Sequence, residues 1–229
     1  MLLNTYIDAI NTNNNGVSHM EAGQFSQARN AFKIALDTIR VAVVKAQQFV
    51  TIFNKNSCSS SLCPSRQLQR RLRQSNHETS DLIFVYKHAM RIETNVIDPS
   101  EITLSNESAV IVYNLALAYH MMCIEGGAVC LLEKSLQFYL IAYAINVRVI
   151  DSQLKLSGAN LLNMAILNNS GQINHELLDY VASRQCFRQL SSHLRTLSHF
   201  GLNDMLEQKD CQGFFLNLML SEPELAAAA

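Results

Sequence analysis

The sequence predicts an all-α fold built of antiparallel helix pairs, and three observations predict it. Glycine (8) and proline (3) are scarce over 229 residues, so few positions break a helix. Hydrophobic residues make up 48% of the chain and charged ones 16%, which is enough apolar surface for one sizeable core. A pattern of a small residue, a turn and a later aromatic ring recurs along the chain, and repeats of this kind decide a fold.

The first copy reads NGVSHMEAGQFSQARNAFKIAL from position 15. Small residues fall at Gly16, Gly23, Ala28 and Ala35, and rings at Phe25 and Phe32. Small residues let two helix backbones approach, and the rings fill the space beside them. Helices are predicted over 4–21 and 26–53, with a tight turn at Gly23. The second copy begins YNLALAYHMMCIEGG. Leu115, Ala116 and Tyr119 fall on its first helix, and Ser135, Tyr139 and Ala142 on its second. Its two halves stand seven residues further apart, about two helical turns, so both helices are expected to lengthen around Gly126 and Gly127. The third copy carries Gly171, Tyr180, Ser183 and Phe187, with Leu178 where the turn glycine would stand. Helices are predicted over 157–176 and 179–199.

The stretches between the copies read differently. Residues 55–81 are polar, serine-rich and then basic, as in a loop or insertion. Residues 82–92, LIFVYKHAMRI, alternate through Phe84, Tyr86, His88, Met90 and Ile92, which fits an extended strip that returns along the helices. Pro99 stops any helix near it. Ser105 or Asn106 is expected to cap a helix starting at Glu107. Residues 131–150 are apolar nearly all round, which predicts burial on most sides. The run FFLNLML in the tail is expected to cover the last apolar face, and the closing alanines to fray.

This spacing resembles the tetratricopeptide repeat. That family places small residues where Gly16, Gly23, Ala28 and Ala35 stand here, and an aromatic at Phe32. Its usual tryptophan and closing proline are replaced by Thr12 and Arg40, so the copies are degenerate. Asparagines before the first packing glycine, a long insertion and an alanine-rich end are similar to a diatom group of repeat proteins. The resemblance implies a short right-handed α-solenoid. Its repeats would span 5–40, 107–150 and 157–200, with an insertion over 55–105 and a C-terminal cap over 202–222.

The resemblance also implies a concave groove lined by the first helix of each pair. An asparagine stands two residues before each packing residue: Asn14 before Gly16, Asn114 before Ala116, Asn169 before Gly171. An amide both donates and accepts, which suits it to a peptide backbone. The plainer alternative is that these amides satisfy local groups or face solvent, and the adjacent Asn13 and Asn168 dilute the pattern. Val17, Leu117 and Gln172 would follow one turn on, then Met20, His120 and His175. The corresponding positions Ile10, Val110 and Ala165 carry no cation, which argues against a clamp for a terminal carboxylate.

The remaining signals narrow the function classes. A formal net charge of -1 argues against a general nucleic-acid binder. The most apolar run, 109–124, holds Asn114 and His120 and is shorter than the roughly 20 residues of a membrane span. The N-terminal residues read as no leader, so reduced cysteines and a cytoplasmic location are expected. Cys58 and Cys63 lack a second ligand pair for zinc, and Cys123, Cys130 and Cys186 read as small core residues. The basic run Arg66, Arg70, Arg71 and Arg73, followed by Ser75, is either a solvated loop or a nuclear address. His120 with Met121, Met122 and Cys123 cannot all ligate one ion, because consecutive helix residues diverge. No phosphate loop, H-E-x-x-H or G-x-S-x-G is present. The expectation is a non-catalytic scaffold with no cofactor and no metal, whose groove binds a protein or peptide. The alternative is a structural subunit whose groove is filled by its own insertion.

Overall fold

In a computed structural model the chain is described over residues 2–53, 84–93, 101–150, 157–199 and 208–221. Those residues form seven helices and no strand: α1 (Leu2–Glu21), α2 (Phe25–Phe53), α3 (Glu101–Ile124), α4 (Cys130–Ile150), α5 (Ser157–Glu176), α6 (Tyr180–His199) and α7 (Gln208–Ser221). The fold is all-α. Each helix packs mainly on its neighbours in the chain, so α1–α2, α3–α4 and α5–α6 are successive antiparallel hairpins. Cys58, Cys63, the basic run, Ser75, Pro99, residues 202–207 and the closing alanines lie outside the described residues.

The small residues and rings make the hairpins close. A Cβ placed on Gly16 would fall 2.6 Å from Phe32 Cε1, and one on Gly171 2.8 Å from Phe187 Cε1. Both rings are buried, as is Tyr139 in the second hairpin. Ser135 and Ser183 donate to the carbonyls of Ala116 and Gly171, each at 2.8 Å, tying the second helix of the pair to the small residue of the first. Gly23, Ala28, Ala35, Ala116, Tyr119 and Ala142 all take part in these hairpins, and all but the turn glycine are buried.

All three hairpins turn by the same motif. The second residue after the helix bonds back three positions and the next bonds back five, as for Gly23 N–H to Met20 O (3.0 Å) and Gln24 N–H to His19 O (2.8 Å). The motif needs a left-handed residue, supplied by Gly23 (φ 71°) and Gly126 (φ 101°). In the third hairpin Leu178 adopts φ 63° with the same two bonds. Leucine there has an exposed side chain and no packing gain to offset the strain.

Two sequence expectations are corrected. The third helix starts at Glu101, so Ser105 and Asn106 lie within it and neither is its cap, and the insertion ends before 101. The helix wrapped on all sides is α3 and not α4. Every residue from 111 to 121 is buried, whereas Leu140 and Ile141 of α4 face outward. The stretch 103–124 is 22 residues long and its most apolar window has a mean hydropathy of 1.3, so length alone does not set a membrane span aside, but 78% of that window is covered by this chain. The seven extra residues of the second copy are divided as its helix ends require. Asn114 stands ten residues before the end of α3, against seven for Asn14 in α1 and Asn169 in α5. The remainder lengthens the start of α4 and the turn.

Near the first hairpin the Tyr6 hydroxyl donates to Glu107 Oε1 at 2.6 Å, while Glu107 Oε2 has no partner among the described residues. Burial pushes the Glu107 carboxyl up to about 7, against the opposing pull of the Tyr6 hydroxyl.

Replacing Leu178 by glycine removes the left-handed penalty of about 1–2 kcal/mol but adds about 0.5–1 kcal/mol of chain entropy to lose on folding. Leu178→Gly should therefore raise the melting temperature by about 1–4 °C in a thermal melt followed by circular dichroism. Because the Glu107 carboxyl is raised, the native state binds more protons than the unfolded chain between the ordinary carboxylate range and about pH 7. Stability from this group is full at low pH and is lost as pH rises towards 7. Glu107→Gln should melt higher than the wild type at pH 8, with the difference closing by pH 4.5.

Candidate functional site

Residues 84–93 are extended and lie along the odd-numbered helices α1, α3, α5 and α7. This extended segment has no sheet partner among the described residues, yet Val85, Tyr86 and Ile92 are buried. Its backbone groups therefore need partners from elsewhere. Asparagines supply them. Asn14 donates to Ile92 O (2.8 Å) and accepts from Ile92 N–H (3.0 Å). Asn114 does the same for Met90, at 2.8 Å each way, and Asn169 for Tyr86, at 2.9 Å each way. Asn217 of α7 pairs with Phe84, donating at 2.7 Å and accepting at 2.8 Å.

A second set of amides steadies the first. Asn13 accepts from Asn114 Nδ2 at 2.9 Å and itself donates to Met90 O at 3.3 Å. Asn168 accepts from Asn217 Nδ2 at 2.7 Å and donates to Phe84 O at 3.0 Å. At the equivalent place in α3 stands Tyr113, whose hydroxyl donates to His88 O at 3.1 Å. The Tyr139 hydroxyl oxygen accepts from Asn169 Nδ2 at 3.0 Å, joining the second hairpin to the third. Asn13 and Asn168, which blur the pattern in the sequence, are thus working members of it.

Side chains of the strip do not divide strictly by parity: Val85 is buried beside Tyr86, and His88 is exposed. Tyr86 stacks on Phe214 at a centroid distance of 5.6 Å, and Phe84 meets the same ring edge-on, also at 5.6 Å. A Cβ on Gly213 would run into the Phe84 ring. Ile92 enters the cluster of Tyr6, Ile10, Leu104 and Ile111. His88 Nε2 lies 3.5 Å from Asp210 Oδ1. Among the odd positions, Arg91 reaches Glu21 at 2.6 Å, Ser18 Oγ at 3.1 Å and Asn14 O at 3.3 Å along the rim.

The sequence-derived groove residues separate into three groups. Asn14, Asn114 and Asn169 all bind this strip. Val17 and Leu117, with Met20, join Tyr86 in one buried cluster. Gln172 and His120 are also buried, while His175 is exposed, its ring 5.2 Å from that of Tyr180. Burial pushes the His120 imidazole down to about 4, against the pull of Gln172, so the ring is neutral at pH 7. It stands edge-on to Tyr139. Ile10 and Ala165 are core residues and Val110 is half-buried. Among the described residues no three His, Cys, Asp or Glu side chains gather as metal ligands.

Sequence reasoning missed Asn217, Tyr113 and Gly213. The signal for α7 was available: an asparagine inside the apolar run FFLNLML, with a small residue four positions earlier, as Ala165 precedes Asn169. Comparison with protein-family models, with curated proteins and with solved structures finds no match to this chain.

The cost of losing an amide should follow its burial. Asn169→Ala strands the N–H and carbonyl of Tyr86 in a dry site, at about 1–3 kcal/mol for each group. A loss of about 3–5 kcal/mol in urea unfolding is expected. Asn14 is half-buried, so water replaces its bonds and Asn14→Ala should cost about 1 kcal/mol. Asn169→Asp should resemble the alanine variant, because a carboxylate accepts from Tyr86 N–H but repels its carbonyl.

Proposed function

We propose that this chain is a non-catalytic interaction scaffold of tetratricopeptide-like repeats. Its concave groove is filled by its own residues 84–93, and it meets partner proteins through its outer faces. The observation that carries the reading is the strip held by Asn14, Asn114, Asn169 and Asn217 along four helices. These four asparagines have both ends of their amides paired with the strip, so they offer a partner no free amide. The repeat-like register adds support. Each of the first three odd helices carries its asparagine two residues before the small residue of the hairpin. The outer faces of α2 and α4 expose Ile34, Leu140 and Ile141, beside Lys33 and Lys134.

Crosslinking mass spectrometry on the tagged full chain, captured with its bound proteins, tests the reading. Partner crosslinks are expected at Lys33 and Lys134, and Ile34→Asp with Ile141→Asp should reduce capture at an unchanged melting temperature. Crosslinks confined to Lys87 on the strip, with capture indifferent to the outer-face variants, would overturn it.

A further inference from the structure

We propose that the groove is a sequence-selective receptor for an extended peptide of nine residues, and that residues 84–92 are its resident ligand. This rests on the reading that those residues fill the groove. The recognition rules can be read position by position. Positions 84, 86, 90 and 92 each present both N–H and carbonyl to one carboxamide. A proline at any of these lacks the donor that the asparagine Oδ1 accepts. The odd positions between them use no such donor, so proline is tolerated at 89.

Side-chain selection is added at the two ends. Positions 84 and 86 take rings, because Phe214 meets both and Gly213 leaves room for the first. Position 91 takes a cation with a fork of donors, reaching Glu21, Ser18 and the Asn14 carbonyl together. Position 92 takes a branched aliphatic residue among Tyr6, Ile10, Leu104 and Ile111. The direction is fixed as well. The aromatic end lies on α7 and the cationic end on α1, so a reversed peptide misplaces every anchor. The ligand class is an extended peptide reading aromatic-x-aromatic, four positions without a side-chain anchor of which the last is not proline, cation, branched aliphatic. In the intact chain the tethered copy competes at an effective concentration of about millimolar, which keeps the groove closed to weaker peptides.

The test uses a labelled synthetic peptide, FVYKHAMRIE, and a full-length host carrying Phe84→Ser, Tyr86→Ser and Ile92→Ser. Fluorescence anisotropy should show the host binding the peptide at least tenfold more tightly than the wild-type chain does. A peptide with Ala89→Pro should bind within about threefold of the parent, and one with Met90→Pro at least tenfold more weakly. No binding to a folded host, or equal losses for the two proline peptides, overturns the proposal. Should the host be unfolded alone, circular dichroism in excess peptide replaces anisotropy, and failure to regain helix overturns it equally. The two readings fail separately. A host that melts with the wild type sinks the filled groove itself, whereas a lowered melting point without peptide binding sinks only the receptor.

Discussion

The structure depends on one pairing problem. A single extended segment packed against helices carries N–H and carbonyl groups that no sheet pairs and that water reaches only at its exposed end, and each unpaired buried group is costly. Helix backbones cannot help, because their own groups are spent internally. A carboxamide solves the problem, since one side chain offers a donor and an acceptor side by side, matching the N–H and carbonyl that one strand residue turns to the same edge. Four helices each contribute one such residue at the strand. The remaining packing can be understood as what holds those amides in line.

The hairpin register follows from this. Two residues along an α-helix are about 200° apart around its axis, so a side chain two positions from the asparagine points to nearly the opposite side. Gly16 and Gly171 stand there and receive the rings of Phe32 and Phe187. The face that holds the strip and the face that packs the hairpin are therefore set by one short motif. A helix such as α3, with a strand on one side, its hairpin partner on another and α2 and α5 beside it, has no free face left. Its uniform apolarity and the neutral, buried His120 are both consequences of that position.

Much of this was legible in the sequence, and the gaps have physical causes. Hairpin positions could be read because small residues and rings recur at helical spacing. The strip could be read because Phe84, Tyr86, His88, Met90 and Ile92 alternate. The identity of the segment bound by Asn14, Asn114 and Asn169 could not, because pairing between positions 78, 24 or 83 residues apart leaves no local trace. The doublets Asn13-Asn14 and Asn168-Asn169 looked like composition, since one residue type serves two roles on adjacent sides of a helix. The start of α3 was missed because its first turn, with Ser105 and Asn106 just beyond, carries the residues of a cap while hydrogen bonding within the helix decides otherwise.

The uneven spacing of the ladder has a geometric origin. Strand residues rise about 3.3 Å each, and only alternate residues turn their polar edge to the same side, so steps come in multiples of about 6.6 Å. Packed helices stand about 8–10 Å apart. A step of two residues falls short of that distance and a step of four, about 13 Å, exceeds it. The amides meet positions 92, 90, 86 and 84, which is a step of two, then four, then two. Eight residues over three intervals average about 9 Å per interval, between the two uniform registers. The wide step leaves the His88 carbonyl between two asparagines, and there the longer Tyr113 side chain reaches it. At that one place a tyrosine hydroxyl stands in for the carboxamide, and its longer side chain spans the gap that the wide step leaves.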